Sequence, residues 1–293
     1  MTVKFRDPGP TTRRWSHERP ATGDERPAAS SYDESRRSKR ATDSVLKTSP
    51  FSKRHREPSH PAAVSISVFF PCYNEQENIT RVVQQALAVL EKLNVDFEVI
   101  IVDDGSSDST GQIADGFADR SDRIKVVHHP TNLGYGAALQ SGFKAATKEF
   151  VFYTDGDGQF DINEMPPLLP LMEQYDIVSC YRLNRQDNII RKINGWCWTK
   201  LVCLLFGMKI RDIDCAFKLY KREIFDNIKV LSAGAFVDTE ILARAVRKGY
   251  RVTQKGVHHY PRTAGAQTGA NLRVILRAFR ELFKLRSQIR SGN

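Results

Sequence analysis

An open α/β fold with a mostly parallel central sheet flanked by helices is what this sequence predicts, on three observations. Between Val64 and Ala146, short β-prone runs alternate with stretches of helical period. The strand-like runs are continuously apolar rather than alternating, the mark of strands buried on both faces. Each run also ends abruptly in a loop rich in Asp, Asn and Gly, and repetition of that unit argues a parallel sheet covered by helices. With 293 residues, 41% hydrophobic and 27% charged, the chain is long enough for one full core, and its length allows one or two domains.

Residues 1–60 are rich in Arg, Ser, Pro, Thr and Glu and carry hardly any apolar periodicity. Such a segment buries too little surface to offset its ordering entropy, so a disordered basic tail is expected. Residues 61–270 then form the folded domain, and residues 271–293 a basic amphipathic C-terminal helix.

Val64–Phe70 reads as the first strand, closed by Pro71-Cys72-Tyr73-Asn74-Glu75. Ile79, Val82, Val83, Ala86, Leu87, Leu90 and Leu93 follow at helical spacing. Phe97–Val102 is the second strand, running into Asp103-Asp104-Gly105-Ser106-Ser107-Asp108 and a short helix carrying Ile113 and Phe117. Ile124–His128 is the third, leading through Asn132-Leu133-Gly134-Tyr135-Gly136 to a helix over Ala137–Ala146.

The fourth run, in Phe150–Asp161, delivers Asp155 and Asp157 into a turn softened by Gly156 and Gly158. Two carboxylates two residues apart repel, which costs stability unless a cation lies between them. Hard divalent ions such as Mg²⁺ or Mn²⁺ suit oxygen ligands and bridge to substrate phosphates. The alternative is a solvated Asp-Gly turn. In a parallel sheet the loops after the strands share one edge, so Glu75, Asp104, Asn132 and the Asp155/Asp157 pair are expected around one crevice. No G-x-x-x-x-G-K-[ST] and no G-x-G-x-x-G after the first strand occurs, which argues against P-loop and nicotinamide chemistry.

The net charge is +10, and residues 1–60 hold 14 Lys/Arg against 8 Asp/Glu, so six of those ten charges lie in a fifth of the chain. That balance attracts phosphates of nucleic acid or anionic membrane. No groove-reading motif accompanies it, which argues against nucleic acid. The five cysteines show no C-x-x-C spacing and read as reduced core residues. Neither an N-terminal leader nor a membrane span is expected. His128-His129 and His258-His259 lack a partner at metal-ligand spacing and read as strand-end or loop residues.

PCYNE, VDDGSSD, NLGYGAAL and TDGDGQ, in this order and spacing, resemble the family 2 inverting glycosyltransferases of the GT-A fold. Within that group the chain is most similar to the dolichyl- or polyprenyl-phosphate sugar synthases, on DGDGQ and on Ser179-Cys180-Tyr181-Arg182; the resemblance covers roughly residues 64–265. It implies that Pro71, Tyr73, Glu75, Val102 and Asp104 surround the base and ribose of a UDP- or GDP-sugar. It also implies that Asp155, Gly156 and Asp157 hold the sugar diphosphate, with Asp155, Asp157 and Gln159 as the metal ligands. Arg182 and Arg262 would face phosphates. The acceptor implied is a polyprenyl phosphate or another lipid acceptor, and the place a cytoplasmic, peripheral one on the inner face of the cell membrane, in envelope glycan synthesis. Gln267 and Thr268 stand where the subgroup has Ser and Lys, so Arg191, Arg273 or another base must replace the acceptor-side cation.

Mechanistically, a phosphate acceptor is already ionised and needs no general base, whereas a sugar or lipid hydroxyl does. Asp238 lies where hydroxyl-transferring relatives carry a catalytic aspartate; it is either that base or an acidic residue at the start of the helix Thr239–Lys248. A non-catalytic nucleotide-sugar-binding module is the alternative of another class. Asp212 and Lys218, in RDIDCAFKLY, are expected to shape the acceptor side through structural hydrogen bonds. Ile189–Met208 carries Trp196 and Trp198 beside Lys192 and Lys200, which suits either a membrane-interface helix or a core helix. In Asn271–Arg290, Leu272, Ile275, Leu276, Phe279, Leu282, Phe283 and Ile289 share one face, which either packs on the domain or lies on anionic membrane.

Overall fold

β1 (Ser65–Cys72), β2 (Asp96–Asp103), β3 (Ile124–His128) and β4 (Phe150–Thr154) form where the apolar runs predict them. The computed structural model describes residues 64–183, 189–232, 234, 236–262 and 281–288. The tail over 1–60, residues 271–280 and 289–290 of the expected C-terminal helix, and Gln267, Thr268 and Arg273 lie outside them, as does the side chain of Arg191.

These strands are parallel, in the order β3-β2-β1-β4, with Val68 opposite both Val99 and Phe152. The side chains of β1, β2 and β4 are almost wholly buried on both faces, as their unbroken apolar sequence requires, while β3 at the sheet edge buries only Ile124 fully. α1 (Ile79–Leu93), α2 (Thr110–Ala118) and α3 (Tyr135–Ala145) make the crossovers. α1 buries Ile79, Val82, Val83, Ala86, Val89 and Leu90 along one stripe, and its chain turns out at Asn94 in the left-handed conformation.

After β4 come β5 (Ile177–Ser179), β6 (Tyr181–Leu183), α4 (Ile189–Phe206) and β7 (Phe217–Lys221). β7 wedges between β4 and β5 and runs antiparallel to both. α5 (Glu223–Asn227), α6 (Val237–Arg247) and β8 (Val252–Thr253) follow, β8 closing the seven-stranded sheet beside β5. β9 (Gly256–His258) pairs with β6 in a separate two-stranded sheet. Residues 281–288 are helical (α7), burying Leu282 and Leu285, while Phe283, expected on the same face, is exposed.

An aromatic cluster fills the core between sheet and helices: Phe143 of α3 stacks on Phe225 at 3.9 Å and meets Phe69 edge-on at 4.9 Å. Within this apolar layer Lys218 is wholly buried. Its ammonium donates to the Cys215 carbonyl at 2.6 Å and to Tyr153 Oη at 3.1 Å, and pairs with Asp238 at 3.0 Å. A buried charge persists only when its donors are satisfied in this way. The cluster ties β7, β4 and α6 together beneath the end of β4. The cysteines are all free thiols; Cys72, Cys180 and Cys215 are buried as expected, but Cys197 faces solvent on α4. It shares the solvent-facing side of the helix with Ile193, Asn194 and Lys200, which apolar composition alone does not reveal.

Candidate active site

The first two loops are laced to each other by side chains accepting from backbone. Asn74, held in the left-handed conformation, accepts the Ser107 N–H at 2.8 Å, while its own N–H reaches Ser106 Oγ at 3.0 Å. The Glu75 N–H donates to Thr110 Oγ1 at 2.8 Å, and the Ser109 N–H to Gln76 Oε1 at 3.0 Å. Asn, Ser, Thr and Asp in these positions supply the acceptors that loop N–H groups lack when a strand ends. The third loop is fixed by Asp104, whose carboxylate accepts from the Leu133 and Gly134 N–H groups at 2.8 and 2.9 Å.

The fourth loop owes its shape to two glycines. Gly158 turns with φ +70° and sits against the Arg81 guanidinium, where a Cβ would lie 2.0 Å from Nη2. Gly156 is pressed onto the first loop instead, with space for a Cβ only 2.5 Å from Cys72 Sγ. The expectation that both glycines let a ligand approach is thus refined: at Gly156 the close neighbour is β1.

Together these loops enclose a cavity of about 590 Å³, lined among others by Pro71, Tyr73, Glu75, Asp104, Asn132, Asp155, Gly156, Asp157 and Arg262. The expected meeting of Glu75, Asp104, Asn132 and the aspartate pair is therefore what the fold produces. Arg262 is carried in by the segment after β9, which is stitched to the fourth loop: the Tyr260 N–H donates to the Gln159 carbonyl at 2.8 Å, and Gln159 Nε2 to the Tyr260 carbonyl at 3.0 Å. The guanidinium forms a short ion pair with Glu75 and lies 3.7 Å from Asp157 Oδ2.

Charge in the crevice is strained. Burial, then the neighbouring Asp157 carboxylate, raises Asp155 well above the usual carboxylate range, although Tyr135 donates to it at 3.0 Å. Burial also raises Asp157, against the Gln159 N–H bond and Arg262, which oppose it. Glu75 is raised by burial too, in spite of hydrogen bonds from Asn78 and Arg262. Two adjacent carboxylates that resist ionising together are what a divalent cation relieves. Gln159, just past Asp157 and outside the crevice lining, donates its side-chain N–H to the Tyr260 carbonyl, which leaves its amide oxygen as the atom it could offer a cation. Among the described residues no group of three or more His, Cys, Asp or Glu gathers at metal-binding range.

Besides Gln159, three sequence-predicted site residues do not line the crevice. Val102 is fully buried within β2, paired between Pro71 and Val127, and does not line the crevice. Arg182 forms a two-pronged pair with Asp212, at 2.7 and 2.8 Å, and lines a second cavity of about 520 Å³ with Tyr181, Lys192, Ile193, Trp196, Thr199 and Arg211. Asp238 is buried, accepts from Tyr153 Oη and pairs with Lys218, away from the crevice lining. Sequence reasoning missed Arg81, Tyr135 and Arg211; Tyr135 and Arg211 lay within quoted motifs, NLGYGAAL and RDIDCAFKLY, while Arg81 had only its charge to mark it.

The model of the family described as "Glycosyl transferase family 2" matches residues 67–229, more than half of the chain. The chain belongs to glycosyl transferase family 2. The matched stretch of this family 2 chain runs from β1 past α5 and stops before Asp238 and Arg262.

Among curated relatives, the chain is 28% identical to a dodecaprenyl-phosphate galacturonate synthase of Rhizobium johnstonii, over 79% of this chain and 70% of that protein. It is 31% identical to an undecaprenyl-phosphate 4-deoxy-4-formamido-L-arabinose transferase of Enterobacter, over 72% and 64%. With the glycosyltransferase AglD of Haloferax volcanii the identity is 35%, over 69% of this chain and 34% of that protein. The chain thus spans about a third of AglD and just under two thirds of the arabinose transferase.

Among solved structures, glucosyl-3-phosphoglycerate synthase from Mycobacterium tuberculosis bound to phosphoglyceric acid aligns with a TM-score of 0.58 at 18% identity, covering 77% of this chain and 80% of that one. Its complex with Mn²⁺, uridine diphosphate and phosphoglyceric acid aligns at 0.54 and 20% identity, over 77% and 76%. The fold of this family 2 chain is accordingly GT-A, as its motifs imply.

Proposed function

We propose that the chain transfers a hexosyl group from a UDP- or GDP-sugar to a polyprenyl phosphate, with inversion and with help from Mg²⁺ or Mn²⁺. The observation that carries this reading is the crevice where Glu75, Asp104, Asp155, Asp157 and Arg262, delivered by separate loops, surround one cavity. Base and ribose fall to the Glu75 and Asp104 end, and the diphosphate to Asp155, Asp157 and Arg262. Asp155, Asp157 and the Gln159 amide oxygen are the groups that would hold the divalent cation, whose chemistry is to neutralise the charge a diphosphate gathers as the glycosidic bond breaks. Arg262 lies beside Asp157 and can move from Glu75 onto the departing diphosphate, stabilising it more in the transition state than before.

The phosphate acceptor is supported by the names of the galacturonate and arabinose relatives and by the second cavity, where Lys192 and Arg211 add cations beside the Arg182–Asp212 pair. On this reading Lys192 and Arg211 supply the cation that the subgroup has where this chain has Thr268. Asp238 fits this reading better than the hydroxyl-acceptor one, since a carboxylate committed to Lys218 and Tyr153 is poorly placed to take a proton from an acceptor. No helix among the described residues is long and apolar enough to cross a membrane. α4 instead turns Ile193, Trp196 and Leu204 outward, 54, 60 and 81% exposed, with Lys192 and Lys200 flanking them. That stripe suits the surface of an anionic bilayer, on the side where a lipid phosphate reaches the adjoining cavity.

The test is release of nucleoside diphosphate from UDP- and GDP-sugars with undecaprenyl phosphate and Mn²⁺. Transfer that disappears on chelation and in Asp157→Ala, but persists in Asp238→Asn, supports the proposal. Full turnover in Asp157→Ala sinks it, and loss of transfer in Asp238→Asn with donor binding intact turns the reading to a hydroxyl acceptor.

A further inference from the structure

Asp104 is held from behind. His129, the residue after β3, places Nδ1 2.6 Å from Asp104 Oδ1 and Nε2 2.8 Å from Ser141 Oγ on α3. An ionised carboxylate only accepts, so Nδ1 is the donor, and in the neutral ring Nε2 accepts from the Ser141 hydroxyl. The side chains of His129 and Asp104 are 8% and 5% exposed, so the row is nearly closed to water, where hydrogen bonds to charge count for more. The His129 backbone is fixed as well, its N–H donating to the Asp103 carbonyl at 2.9 Å.

The arrangement limits what Asp104 can still do. Its carboxylate already accepts from His129, from the Leu133 N–H and from the Gly134 N–H, which fills three of its roughly four acceptor positions. Asp104 lines the crevice, whereas His129 and Ser141 line a different cavity of about 670 Å³ on the far side of this wall. His129 therefore meets a donor substrate only through Asp104.

We propose that His129, backed by Ser141, is a positioning residue for donor recognition: it locks the Asp104 carboxylate so that one acceptor position remains for the nucleoside. The inference rests on the nucleotide-sugar reading of the crevice. The partner admitted is a base or ribose group that donates a hydrogen bond. A group presenting only lone pairs is rejected, because it leaves a buried acceptor unpaired.

The experiment is calorimetric titration of the full chain with UDP or GDP in the presence of Mn²⁺, and with Mn²⁺ and pyrophosphate, which lacks base and ribose. Removing a hydrogen bond to a charged group predicts that His129→Ala weakens the better-bound nucleoside diphosphate about tenfold while pyrophosphate changes less than about twofold. His129→Asn, whose amide N–H takes the place of Nδ1–H, restores most of the affinity; Ser141→Ala loses about two- to threefold. Equal nucleoside diphosphate affinity in wild type and His129→Ala overturns the proposal, as does an equal loss for pyrophosphate. If His129→Ala does not fold, His129→Gln replaces it, since its longer side chain matches Nε2 and not Nδ1. Asn must then bind more tightly than Gln, and equality or the reverse order overturns the proposal. A wild type that binds pyrophosphate but neither nucleoside diphosphate refutes the reading of the crevice itself, and the role of His129 with it.

Discussion

The crevice at the ends of β1 to β4 and the cavity beside α4 handle their charges on different plans. In the crevice the loops are fixed by backbone N–H groups donating to Asn74, Thr110, Gln76 and Asp104, so their shape exists before any ligand arrives. In the cavity, cations are held by a single carboxylate partner or an aromatic ring: Arg182 by Asp212, and Arg211 over the Tyr181 ring at 4.2 Å. On the proposed reading, the difference suits one region to recognising a donor and the other to receiving an anion. A fixed acceptor discriminates by leaving the wrong ligand unpaired, whereas a cation that can change partners takes whichever anion is brought to it.

The sharpest way to break this comparison is beneath the crevice, where rigidity depends on a buried pair. Lys218→Met leaves the buried Asp238 carboxylate without its cation, only Tyr153 Oη still donating to it, and a loss of about 3–5 kcal/mol is expected in urea unfolding. Adding Asp238→Leu should recover much of it. If the single variant is neutral, the floor under β4 is not what stiffens the site. Next in size, on the proposed reading, Asp157→Ala should lower turnover by about 10²–10³ by removing a carboxylate that would hold the charge-neutralising cation, read from steady-state rates at saturating donor. A tenfold effect at most is expected on the other side. Arg211→Ala or Lys192→Ala should raise the KM for prenyl phosphate about three- to tenfold, as loss of one charged contact implies, without altering UDP affinity in calorimetry. Altered UDP affinity would mean that the two regions are one.

The smallest effect concerns pH. His128 lies between Asp115 at 2.9 Å and Asp103 at 3.0 Å. The Asp115 hydrogen bond, opposed by partial burial and reinforced by Asp103, raises its pKa above 6.5. A group whose folded pKa is raised stabilises the fold fully below its unfolded value, and that contribution is lost as pH rises through the folded one. Thermal stability should therefore fall slightly from about pH 6.5 upward, and His128→Gln should flatten the slope. The side chain is 44% exposed, so solvent screening keeps the effect small.

The parts legible in the sequence were those set by neighbours in the chain. β1 to β4 and their helices follow from local apolar period, and the meeting of the loop carboxylates follows from parallel order alone. RDIDCAFKLY reads as a strand, but its direction depends on the route of the chain through α4, so the antiparallel insertion of β7 could not be read. The partner of Arg182 is thirty residues away at Asp212, and that of Asp238 is Lys218 on another element; such pairings are decided by packing. Val102 shows the same limit in reverse, since a motif position inside a strand end says nothing about which face its side chain takes.

Arg262 resting between Glu75 and Asp157 has a kinetic corollary on the proposed reading. A diphosphate that enters must draw the guanidinium away from two carboxylates, and one that departs hands it back. The same pairing that weakens capture of the donor speeds escape of the spent nucleotide, so the protein trades grip for cycling frequency.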